Sequence, residues 1–228
     1  MKIRRGAWLA VLALLVSTLA TTSAFADTIT LQSAPNRNAY GGGAFVATTS
    51  AGSLPLANST FDTFCIEYNE HFSFGTTYNY TISDGAINGG AGGGNPDKIS
   101  LGTAYLYSQY LDDPNHASWT GDQQQALQEA IWYLEEEGQP CSAACLKVLT
   151  DAGTALGKTT AELMADANGA YGVVALNLTN LDKSPAQDQL GRVPEAEATL
   201  LLSMGLVGLA WFARRKNLLP SGVRPLNV

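Results

Sequence analysis

Three cysteines, Cys65, Cys141 and Cys145, are the residues of this 228-residue chain best suited to chemistry. Cys141 and Cys145 lie four positions apart, close enough for a local disulfide if the chain turns between them. Three thiols cannot all pair within one chain. That pairing leaves Cys65 alone, and a bridge from Cys65 to Cys141 or Cys145 is the alternative. In an exported chain an unpaired cysteine meets oxidants, so Cys65 is either buried as a small hydrophobe or chemically engaged. Other reactive residue types offer little. His71 and His116 are the only histidines and read as surface or turn residues. No Gly-x-Ser-x-Gly elbow, His-Glu-x-x-His pair or phosphate loop occurs. Glu135-Glu136-Glu137 reads as a solvated helix end, although acid sits unfavourably at the C-terminal dipole. Asp84-Gly85 and Asn88-Gly89-Gly90 mark turns without the spacing of an EF-hand. Neither an enzyme nor a bound metal or cofactor is expected.

The two ends say where any such chemistry would take place. Lys2, Arg4 and Arg5 precede an apolar stretch over residues 7–20, shorter than the ~20 residues that span a bilayer. Ala24-Phe25-Ala26 is a small-x-small cleavage pattern, so residues 1–26 read as a signal peptide with Asp27 as the mature N-terminus. A second apolar run, residues 198–213, carries no charge and is followed at once by Arg214, Arg215 and Lys216. Such a cluster stays on the cytoplasmic side, which places the intervening chain outside. Val193-Pro194-Glu195 stands just before this run. Residues 193–216 thereby resemble the three-part sorting signal of PEP-CTERM proteins. Two departures are Ala196 in place of a second proline, and a short tail, residues 217–228, after the basic cluster. The resemblance implies an inner-membrane intermediate held by the hydrophobic helix over 198–213. Signal peptidase and an exosortase-like membrane protease then act on it, and the product passes to the cell surface or the extracellular matrix.

Residues 27–192 are enough for one domain with its own core. They hold six Lys/Arg against eighteen Asp/Glu, a net charge of −12, which repels phosphate backbones and argues against nucleic acid as a partner. Residues 27–82 are rich in Thr, Tyr, Phe and Gly, with alternation that predicts strands. Phe64, Ile66 and Tyr68 share one face, Cys65 and Glu67 the other, and Tyr78, Tyr80 and Ile82 form a second alternating set. Residues 85–95 predict a Gly-rich loop with too few bulky side chains to pack. The period then changes. Residues 98–111 predict a helix capped by Asp97. Residues 122–137 predict the clearest helix, with Leu127, Ala130, Ile131 and Leu134 on one face, a Thr120/Gln123 capping box, and Gly138 and Pro140 to end it. Shorter helical signals surround 146–149 and 161–167, and 171–178 returns to strand chemistry. The expected fold is α+β, a β-rich, mostly antiparallel sandwich or barrel-like body with a helical insertion. Its helix 122–137 should pack on the sheet that contains 61–68.

Phe64-Cys65-Ile66-Glu67 and Leu127-Gln128-Glu129-Ala130-Ile131-Trp132 resemble the two signatures of bacterial thioester domains, and residues 98–111 look like the helix that precedes the second. The resemblance covers roughly residues 61–137. It implies that the Cys65 sulfur and the Gln128 side-chain carbonyl form an internal thioester with loss of ammonia. Only cysteine offers a strong sulfur nucleophile, and only a glutamine side chain offers the acyl carbon with a departing amine. Such a bond survives where water is excluded, and Phe61, Phe64, Tyr68, Phe72, Trp132 and Tyr133 are the expected dry wall. The implied partners are amine-bearing surface molecules. The alternative is a non-covalent structural component of an extracellular polysaccharide matrix, with the two motifs as packing features.

Overall fold

A computed structural model describes residues 27–35, 43–50, 56, 59–87, 91–92 and 94–193. Six strands build one antiparallel sheet: β1 (Thr28–Ser33), β2 (Phe45–Thr49), β3 (Thr60–Thr63), β4 (Thr77–Ser83), β7 (Val173–Thr179) and β8 (Pro185–Arg192). Their order is β3-β2-β1-β4-β7-β8. Two-residue strands β5 (Gly85–Ala86) and β6 (Asp97–Lys98) pair separately. The helices α1 (Leu101–Asp112), α2 (Gly121–Leu134), α3 (Ala143–Leu156) and α4 (Thr160–Leu163) all lie between β4 and β7. Those two strands are nevertheless hydrogen-bonded neighbours, so the helices form an insertion in a mixed α+β protein.

The sheet curls until its two ends meet. Just beyond β3, Cys65 bridges Gln189 of β8. The Ile66 N–H donates to the Asp188 carbonyl at 3.1 Å, and the Leu190 N–H donates to the Phe64 carbonyl at 3.0 Å. The Thr63 hydroxyl adds a 2.6 Å bond to the Leu190 carbonyl. Successive side chains of a strand point to opposite faces, and β7 shows the result. Val173 and Ala175 join Phe64, Ile66, Leu190 and the helices in one buried cluster. Leu176 and Leu178 join Ile29, Leu31, Ala47, Tyr78 and Tyr80 in a second.

Helix starts follow local chemistry wherever nothing else restrains the chain. Thr120 and Gln123 form a reciprocal capping box at the head of α2. Thr120→Ala is expected to cost about 1 kcal/mol, read as a lower denaturant midpoint with an unchanged slope. At α1 the cap is Ser100, whose hydroxyl accepts from the Thr103 N–H, and not Asp97. The pairing of Gly85 with Lys98 holds residues 97–98 extended, so no helix can begin there. The same pairing buries Gly85 and Ala86, in a segment expected to be a loop without packing. Leu127 and Ile131 of α2 face the sheet cluster. Ala130 and Leu134 turn instead to Cys145, Leu149 and Ala152 of α3, a full fourteen-residue helix rather than a short one. Gly157, at φ 63°, closes α3 in the left-handed region.

The solvated acidic helix end does not exist. Helix α2 stops at Leu134, and Glu136 and Gly138 take positive φ values of 60° and 71°. This reversal folds Glu135 and Glu137 inward, to 2% and 1% exposure. Both carboxyls then have work as acceptors. Glu135 receives the N–H and hydroxyl of Ser100, and Glu137 receives the N–H groups of Tyr68 and Ala91.

Candidate functional site

The pairing of Cys65 with Gln189 decides what the Cys65 backbone can do. The flanking bonds join the directly opposed residues on either side, Ile66 to Asp188 and Leu190 to Phe64, which makes Cys65 and Gln189 a non-hydrogen-bonded pair. The N–H and C=O of Cys65 therefore point away from β8. Gln128 takes both. The Cys65 N–H donates to Gln128 Oε1 at 3.0 Å, and Gln128 Nε2 donates to the Cys65 carbonyl at 2.8 Å. Gln124 lies one helical turn earlier, on the same face of α2. Its Oε1 accepts the Ala44 N–H at 3.3 Å. Two glutamines thus dock α2 on backbone that the sheet leaves uncovered.

Cys65 and Gln128 are 2% and 0% exposed and meet across 63 residues of sequence. The structure brings this expected pair together. The Cys65 sulfur faces the carboxamide of Gln189, with Nε2 at 3.4 Å and Oε1 at 4.0 Å. Gln189, fully buried, lies on a strand that no sequence signal announced. Its only cue is a set of amide side chains, Gln187 and Gln189, at alternate positions.

Beside the sulfur lies a pocket of about 440 Å³, walled by Phe45, Tyr68, His71, Phe72, Phe74 and Trp132. Its rings meet edge to face, Phe45 on Phe72 at 4.9 Å and Tyr68 on Trp132 at 5.0 Å, a favoured aromatic geometry. Of the expected wall, Tyr68, Phe72 and Trp132 are present. Phe64 instead points to the other face and packs on Tyr107 and Tyr110. Phe61 joins the cluster around β1 and β4, and Tyr133 is 37% exposed. Phe45 and Phe74 fill those places from β2 and from the turn before β4. The Trp132 Nε1–H is buried without an acceptor.

Next to this pocket the fold buries acid. Burial, with Asp188 close by, pushes the Glu67 carboxyl up to about 9. Burial raises Asp188 to about 6, and it also raises Glu70 and Glu137. Among the described residues no group of three or more His, Cys, Asp or Glu side chains is placed to hold a metal ion. His71 lines the Cys65 pocket. His116 sits elsewhere, its Nε2 3.6 Å from Asp62 and its Nδ1 2.6 Å from the Asp113 carbonyl.

Cys141 and Cys145 are bonded to each other, with their Cα atoms 5.3 Å apart, in the helical cluster and not in the Cys65 pocket. The Asp27 carbonyl accepts the Tyr80 N–H, and the Val193 N–H donates to Gly172. The remaining predicted sorting residues, Ala24, Ala26, Pro194, Glu195, Arg214, Arg215 and Lys216, lie outside the described residues, as does the run 198–213. Among the described residues no helix is long and apolar enough to cross a membrane.

Fold and site together define an α+β protein in which a helix carries a glutamine onto a cysteine at the seam of a curled antiparallel sheet. No family model, curated protein or solved structure matches the chain.

Proposed function

We propose that this is an exported surface or matrix module that attaches covalently to amine-bearing partners through a Cys65–Gln128 thioester, and that it is not an enzyme. The barrel-like body at 27–192 carries the site. The signal peptide at 1–26 delivers the chain, and the segment at 193–216 is the substrate of an exosortase-like protease. The observation that carries the reading is the docking of the Gln128 carboxamide on the backbone N–H and C=O of Cys65, at 3.0 and 2.8 Å, with both residues buried.

The chemistry balances within the chain. The Cys65 sulfur attacks Gln128 Cδ, the C–N bond breaks, and nitrogen leaves as ammonia with the thiol proton. The Cys65 N–H already donates to Gln128 Oε1, the oxygen on which charge collects during attack, and such preorganised donors lower acyl-transfer barriers. The burial of Cys65 and Gln128 limits water at the bond, and the aromatic pocket beside Cys65 gives an amine its approach. A partner's amine then attacks the same carbon, forming an amide and returning the thiol.

Intact-mass and peptide-mapping measurements on the exported full chain test this. The chain should be lighter by one ammonia than its mature sequence with the Cys141–Cys145 disulfide formed, with the peptides of Cys65 and Gln128 linked. Methylamine should label Gln128 and free the Cys65 thiol, while Cys65→Ala and Gln128→Ala should each abolish both effects. A chain that has lost no ammonia and whose Cys65 is free before methylamine is added would leave the non-covalent matrix component as the reading.

A further inference from the structure

The sulfur of Cys65 has a neighbour that the proposed bond does not consume. Gln189 stands directly across the seam, in a non-hydrogen-bonded pair where facing side chains come closest. Its amide meets the sulfur with both ends, Nε2 at 3.4 Å and Oε1 at 4.0 Å. The Nε2 group is also tied to the Gln187 carbonyl at 3.2 Å, which fixes the amide plane. Gln189 is 0% exposed, so no bulk water competes for these contacts.

We propose that Gln189 is the positioning residue of the thioester site, its Nε2–H donating to Cys65 sulfur whenever that sulfur carries negative charge. The proposal rests on the Cys65–Gln128 reading. The thiolate, not the thiol, is the attacking species, and burial without a donor disfavours it. When an amine opens the thioester, the same sulfur departs with negative charge, and the same N–H meets it. A neutral amide suits this task because it also accepts from the thiol through Oε1 and needs no change of its own charge. Gln128 cannot serve both roles, since its nitrogen is the group that leaves.

The test uses the exported full chain with Gln189→Met, which keeps the side-chain length but has no donor, and Gln189→Glu, which keeps the shape but sets a carboxylate against the sulfur. A hydrogen bond to a charged group is worth about 1.5–3 kcal/mol. Opening by methylamine should therefore slow about ten- to a hundredfold in Gln189→Met, and at least as much in Gln189→Glu. The label should remain on Gln128. A second readout does not need the thioester. With Gln128→Ala as background, the pH profile of Cys65 alkylation should move up by about one unit or more when Gln189→Met is added. An unmoved profile, or methylamine found on Gln189 in place of Gln128, overturns the proposal. A wild-type chain without ammonia loss defeats the thioester reading instead, while the alkylation profile still reports whether Gln189 serves the sulfur.

Discussion

Asp188→Ala is expected to cost the fold about 3–5 kcal/mol, since it takes the acceptor from two buried donors and one half-buried donor at roughly 1–3 kcal/mol each before partial relaxation. The cause is a register shift between β7 and β8. Leu176 pairs with Gln189 and Leu178 pairs with Ala186, so Gln187 and Asp188 together oppose the single residue Asn177. A bulge of this kind leaves ladder groups without backbone partners. The Asp188 carboxylate supplies what the ladder lacks. Oδ1 accepts the Leu178 N–H at 2.7 Å, and Oδ2 accepts Asn177 Nδ2 at 2.8 Å and the Ile87 N–H at 2.9 Å. Denaturant unfolding checks the figure. Asp188→Asn keeps one acceptor oxygen and should lose about half as much. Equal losses for the two variants would show that the carboxylate is not the ladder's substitute.

The second large effect is on pH dependence. Folded Glu67 titrates near 9 and an ordinary glutamate near 4.5. Between those values the folded chain keeps a proton that the unfolded chain has released, so rising pH favours unfolding. The stability is fully present below the lower value and is lost as pH climbs through the higher one. Burial acts in the same direction on Glu135, raised to about 7, and on Asp97 and Asp188, each raised to about 6. Glu67 Oε1 and Glu70 Oε2 are buried with no donor of their own, and a proton on Glu67 supplies one. From about pH 5 to about pH 8 the chain should lose stability on the order of a few kcal/mol. Glu67→Gln, neutral at every pH, should flatten the upper part of that fall. A melting temperature that rises across the same interval would contradict the assignment.

Residues whose partners are close in sequence were legible. Thr120 and Gln123 announce the start of α2 because both halves of the box lie within four positions. The apolar stripe of α2 was legible too, although sequence could not show that Leu127 and Ile131 serve the sheet while Ala130 and Leu134 serve α3. Strand β8 was not legible. Its sequence, PAQDQLGR, is polar, and burying polar groups without partners is costly. The partners of Gln187, Asp188 and Gln189 come from residues up to 124 positions away, and the bulge breaks the alternation that would mark a strand. Glu135 and Glu137 misled for the same reason, since their donors at Ser100, Tyr68 and Ala91 are distant. At the site, Cys65 stood out by cysteine arithmetic and Gln128 only by resemblance. Phe45 enters the pocket wall through sheet pairing and Phe74 through the turn before β4, which no local pattern reports.

The strand that closes the sheet is also the last one made. Everything that Cys65 needs from β8 arrives with residues 185–192, after all other elements of the domain have been synthesised. A chain emerging N-terminus first can form β1, β2 and β3 early, yet Cys65 then lacks Gln189 and Glu67 lacks Asp188. The surroundings of the sulfur are therefore complete only once the final strand lies between β7 and the Cys65 segment. A chain cut short of residue 185 cannot build the site however well its other strands and helices fold.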